Sequence, residues 1–176
     1  MKFEDYDNLH TANASVIKQL IDREIIANVR ITKDGPQSDT IELEVNIPKL
    51  FDTDEYRDDY NAYIWHYYNV LFYQRTGISL PNRDNRERRE SKIALRDAVL
   101  AHYAIIEELS DTGLICNASI SDAHIDEHKI NQVAINYDFT ERYLVNDKIC
   151  PDCRSYTTSL WCVKFFELTK TTPIFT

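Results

Sequence analysis

Hydrophobic and polar positions along the chain change period more than once. From Ala14 to about Glu24, Val16, Ile17, Leu20 and Ile21 share one face of a helix, with Thr11 or Asn13 able to cap it. Val29 to Thr32 then reads as a strand, Asp34-Gly35-Pro36 as a turn, and Ile41, Leu43, Val45 and Ile47 alternate with polar residues. That alternation predicts a β-hairpin with a long loop, stopped by Pro48. The period then returns to helical from Asp52 to Gln74, with Asp52, Thr53, Asp54 and Glu55 as cap and acidic first turn and Gly77 as the stop. A second long helix is predicted from about Asn82 to Leu109, carried by Leu95, Val99, Ile106 and Leu109 and closed by Gly113. The last third alternates in three sets: Leu114 to Ile120, Val133 to Phe139, and Trp161, Val163 and Phe165.

The order α-β-β-α-α-β-β-β predicts an α+β fold. Its sheet would be mainly antiparallel, an N-terminal hairpin plus a C-terminal three-stranded set, with a short N-terminal helix and two long helices packed on it. Residues 1–168 would form a single domain and 169–176 a C-terminal tail; no repeat or composition break suggests a linker. A length of 176 residues suits one domain with a real core.

Composition removes several functions. The only glycines are Gly35, Gly77 and Gly113, where average usage would give about a dozen. Glycine-rich phosphate cradles of the P-loop and Rossmann kinds need more, because their backbones approach the ligand closely. A net charge of -9 argues against broad nucleic-acid binding, which runs on lysine and arginine neutralising phosphates, and against anionic membrane surfaces. The polar N-terminus and the absence of a long apolar run predict no leader and no membrane span, hence a cytoplasmic protein or a virion component assembled there.

The one stretch with a recognisable chemical spacing is Cys150-Pro151-Asp152-Cys153. Two thiolates from a tight turn can hold zinc if two more ligands arrive, so no cofactor is expected unless it is zinc. His124 and His128 have suitable spacing, but in a meander they lie at the other end of the sheet. Cys116 starts its strand at the right end, whereas Cys162 falls within the last strand, and buried cysteines are often plain core residues. A two-fold dimer sharing two such pairs, or a strand-connecting turn carrying two thiols, are the other readings. A thioredoxin-like role is disfavoured because the motif is not expected to follow a strand and open a helix.

Asp122, His124, Asp126 and His128 form a second cluster that resembles the H-x-H-x-D-H order of metallo-hydrolases. It departs from that order at Asp122 and at the inserted Glu127, and only His102 suggests itself as a further ligand. A solvated polar loop is the simpler reading.

Interaction candidates lie on the two long helices. The first carries Tyr56, Tyr60, Tyr63, Trp65, Tyr67, Tyr68, Phe72 and Tyr73, more aromatics than one stripe holds. Either the surplus faces a partner, which tyrosine and tryptophan suit, or this is the central helix. The run Arg83, Arg86, Arg88, Arg89, Lys92 and Arg96 is interleaved with acids, as on a solvated helix face, and could complement the acidic start of the aromatic helix in another copy. The overall pattern resembles that of small assembly modules, including subunits that complete phage tails or necks. These features together lead to the expectation of a non-enzymatic, homo-oligomeric assembly subunit with protein partners. A zinc-stabilised adaptor and a small metal-dependent hydrolase are the alternatives.

Overall fold

A computed structural model describes residues 3–35, 38–78, 93–145, 148–149 and 152–171. The fold is α+β, with four helices and two small antiparallel sheets among the described residues, plus a ladder of two-residue strands. The order is α1 (Phe3–Asp22), β1 (Ile26–Gly35), β2 (Ser38–Val45), α2 (Arg57–Thr76), α3 (Leu95–Asp111), β3 (Ile115–Ile125), β4 (Asn131–Phe139), β5 (Leu144–Val145), β6 (Lys148–Ile149) and α4 (Cys153–Thr169). Short 3-10 turns at Lys49–Phe51 and Glu141–Tyr143 precede α2 and β5.

The helix ends follow local chemistry. At the end of α1, Glu24 takes a left-handed φ of 59°, and the Ile25 and Glu24 amides donate to Leu20 and Ile21 carbonyls at 2.9 Å each. This pairing is the Schellman motif. Gly113 repeats it after α3, at φ 76°, with Leu114 N–H donating to the Leu109 carbonyl at 2.9 Å. Gly77 closes α2 at φ 71°, as its position predicts.

The first hairpin pairs Ile31 with Ile41 and Gly35 with Ser38, so its strands run closer to the turn than a long loop allows. Pro36 and Gln37 lie outside the described residues. The second hairpin pairs Ile115 with Phe139 and Ile125 with Asn131. A bulge after Cys116 places Asn117 at φ 54°, a region that asparagine tolerates.

Several expectations need correction. The strand drawn through Trp161, Val163 and Phe165 is the middle of α4. Alternation over so few residues also arises on a helix buried on most sides, and α4 buries Tyr156, Leu160, Trp161, Val163, Phe165 and Phe166. With that strand gone, no three-stranded set exists among the described residues, and the hairpins form separate two-stranded sheets. Of the helix expected from Asn82 to Leu109, α3 begins at Leu95 after an extended Ala94 at φ -60° and ψ 142°, and the part from 82 to 92 lies outside the described residues. Asp52 to Glu55 form a turn ahead of α2, in which Thr53 Oγ1 accepts the Tyr56 N–H at 3.2 Å. The first helix is also longer than its apolar stripe suggests, starting at Phe3.

The core is a set of three clusters joined by α2. Val16, Leu20, Ile26 and Ile41 close on Ile64, Tyr68 and Phe72. Ala98, Ile105, Leu109, Trp161 and Phe165 close on Val70 and Tyr73. Phe51, Val163 and Phe166 form the third, against Tyr56, Tyr60 and Tyr63. Helix α2 is buried continuously from Tyr68 to Tyr73, so the N-terminal hairpin and the C-terminal half pack on the same element.

Candidate functional site

Between the ends of α1 and α3, the middle of α2, the Glu141–Tyr143 turn and α4 lies a cleft of about 450 Å³. Its walls include the apolar side chains of Val70, Leu71, Leu109, Leu114 and Leu160, and its polar side chains come from elements far apart in sequence. Tyr67 projects from α2, and Arg23 Nη1 donates to its hydroxyl at 2.9 Å. Arg142 Nη1 donates to the Thr112 carbonyl at 2.7 Å, while Gln74 Nε2 donates to the Arg142 carbonyl at 3.2 Å. Lys164 pairs with Glu108 at 2.7 Å.

Arg23, Arg142 and Lys164 therefore stand against the single carboxylate of Glu108 among the lining residues, in a protein whose net charge is -9. Each cation is held by a hydrogen bond or ion pair that leaves donor capacity, since guanidinium offers five N–H groups and ammonium three. Tyr143 and Tyr156 also line the cleft. Burial pushes the Tyr143 hydroxyl up to about 12 and raises Tyr156 further, so both are neutral donors at physiological pH. An apolar wall with convergent cations suits an anionic group carried on an apolar body.

Of the aromatic residues expected at a partner contact, Tyr68 is buried and the other five are partly covered by packing within the fold. Tyr68 is fully buried and donates to Asn13 Oδ1 at 2.6 Å, tying α2 to α1. Tyr63 and Tyr67 both stack on Tyr156 of α4, with ring centroids 6.0 and 5.4 Å away. Tyr56 meets Phe166 at 4.0 Å, and Tyr60 meets Phe51 at 5.1 Å. Trp65 lies 5.8 Å from Tyr68. Tyr56, Tyr60, Tyr63, Trp65 and Tyr67 are half-buried, so packing accounts for most of their surface. Arg83, Arg86, Arg88 and Arg89 lie outside the described residues.

Cys150 also lies outside the described residues, whereas Cys153 is fully buried at the first position of α4, in the cluster with Trp161. The motif does come between a strand, β6, and a helix, α4, contrary to the expectation of a turn joining two strands. Cys162 sits on α4, half-buried, rather than in a strand.

The acidic-histidine cluster forms the tip of the second hairpin. Asp126 Oδ1 accepts the N–H groups of His128 and Ile130 at 2.9 Å each, and its other oxygen accepts Gln132 Nε2 at 3.1 Å. Those bonds, that from Ile130 foremost, hold its carboxyl below the usual range. His124 pairs with Asp122 at 2.8 Å and His128 with Glu127 at 3.5 Å, so the two imidazoles serve different carboxylates. His102 is a core residue: its Nδ1 accepts the Trp161 indole N–H at 2.9 Å, and burial lowers it to about 4. No group of three or more metal-ligating side chains that could hold an ion occurs among the described residues.

The cleft has no signature in the order of residues along the chain. Arg23, Arg142 and Lys164 are isolated in the chain, and only the packing of five elements brings them together. No helix among the described residues is long and apolar enough to cross a membrane. Comparison with protein-family models, curated proteins and solved structures finds no match for this chain.

Proposed function

We propose that this protein is a non-enzymatic assembly subunit that forms homo-oligomers through charged surfaces outside its core. The observation that carries the reading is the basic cleft on a strongly acidic chain. A patch of opposite sign to the rest of the molecule steers like copies into one orientation and penalises others. The aromatic helix supports the reading differently from the way its composition suggests: it is the frame that holds the cleft, with Tyr67, Val70, Leu71 and Gln74 on its wall. An assembly role like that of phage tail and neck completion subunits rests on the sequence pattern alone, and the strand expected to end that pattern is helix α4. No cofactor is required.

Native mass measurement and light scattering of the full chain at tens of micromolar test this. A discrete oligomer that dissociates as salt is raised is expected, since exposed charges are screened within about 8 Å at physiological ionic strength. A monomer at all concentrations and salts overturns the reading.

A further inference from the structure

We infer that the acidic turn ahead of α2 in one copy seats in the basic cleft of the next, so that copies associate head to tail. The inference rests on the assembly reading and specifies the two surfaces. The turn combines an apolar and an anionic group. Leu50 is 38% exposed, although its neighbour Phe51 is buried against Phe166 and Tyr60. Asp54 and Asp58 are exposed beside it. Asp52 is ion-paired with Arg57, which holds the turn, and Glu55 is a further exposed carboxylate between Asp54 and Asp58. Lys49 adds one positive charge at the rear of the segment.

The cleft offers the complement: an apolar wall that includes Leu71 and Leu160, with Arg23 and Arg142 above it. Its volume of about 450 Å³ equals that of about fifteen waters, room for one leucine and two carboxylate side chains. The same copy cannot satisfy both. Asp58 and Val70 lie on one helix, about 18 Å apart at 1.5 Å rise per residue, so the turn does not reach the cleft of its own copy. Two different surfaces meeting in this way make a heterologous contact, which closes into a ring or continues as a filament. The turn is preorganised by the Thr53 and Phe51 contacts, which limits the ordering needed on association.

The test uses two neutralised full-length variants, each verified as folded by its thermal transition. Asp54→Asn/Asp58→Asn alters the turn without touching a buried cluster. Arg23→Gln/Arg142→Gln alters the cleft, and Leu50→Ser is an independent probe of the apolar contact. Sedimentation at tens of micromolar is expected to show wild-type oligomers and a rise of at least tenfold in dissociation constant for each variant alone. An equimolar mixture of the turn and cleft variants is expected to recover a 1:1 pair and nothing larger, because one competent turn and one competent cleft remain. Oligomers of wild-type strength in the turn or Leu50 variants, or a mixture that gains no pairs, overturn the docking and leave the assembly reading standing. A wild-type monomer overturns the assembly reading itself.

Discussion

Helices α2 and α4 each bury eight or more residues, yet only α2 is readable from its residues. Both bury residues around most of their circumference, so neither has a clean polar stripe. The difference lies at their ends. Helix α2 has Asp58 and Asp59 in its first turn, Arg75 in its last and Gly77 as its left-handed stop. Helix α4 has no acid in its first turn, no base in its last, and Lys170 at φ 64° where a glycine would advertise the end. With no acid in its first turn, no base in its last, no glycine stop and only Asp152 at its N-cap, the aromatic and β-branched residues of Trp161-Cys162-Val163-Lys164-Phe165 favour strand locally. Burial against α2 and α3 overrides that preference. For fully enclosed helices, charges and caps carry more information than hydrophobic period.

The sharpest way to break this comparison is to remove one large, fully buried aromatic side chain from each helix. Trp161 is almost fully buried, lies 6.0 Å from Tyr137 and donates to His102. Trp161→Ala is expected to cost about 3–5 kcal/mol in urea unfolding, the same range as Phe72→Ala in α2. A cost below about 1 kcal/mol for Trp161→Ala would mean that α4 is peripheral.

Acidification tests the polar contact inside α4's packing. His102 is neutral in the folded protein because burial lowers it to about 4 from an ordinary value of 6.5. Between those values the unfolded chain binds the extra proton, so stability falls as pH drops through the window and is flat above it. Between pH 7.5 and 5 the loss is on the order of 2 kcal/mol, and it should be absent from the corresponding difference in His102→Gln. Equal pH dependence in both proteins would contradict the neutral buried imidazole.

Tyr68→Phe examines the matching polar contact of α2. It leaves the buried Asn13 amide without the hydroxyl it accepts from, at an expected cost of about 1–2 kcal/mol. The smallest effects are at the helix ends. Gly77→Ala should cost about 1 kcal/mol through the left-handed backbone alone, since a Cβ there meets nothing within 4 Å. Lys170→Gly should be neutral or stabilising by a few tenths of a kcal/mol, tempered by loss of the Nζ bond to the Glu167 carbonyl at 3.0 Å. Opposite signs for these two substitutions, read in the same thermal scan, would confirm that α4 ends where a glycine is missing.

Much of the remaining fold was legible where a local rule sufficed. Alternation placed both hairpins, because one face of each is at least partly covered and the period of a strand is two. Gly77 and Gly113 marked the helix ends that they occupy. The division into two sheets was not legible, because it follows from losing one strand to α4. The cleft was illegible for a stronger reason. Gln19, Tyr67, Glu108, Arg142 and Lys164 have no spacing relation in the chain, and their meeting is a product of tertiary packing. The aromatic run of α2 drew attention to a surface, whereas stacking on Tyr156 and packing on Phe166 use most of it within the fold.

Amide hydrogen exchange followed against protein concentration tests the head-to-tail assembly most directly, because it reports both surfaces in one sample. On raising the concentration, protection is expected to increase together in the segment 49–58 and in the cleft-wall segments around Arg23 and Arg142. Protection confined to other surfaces, such as the outer face of α3 where Leu100 and Tyr103 are exposed, would contradict it.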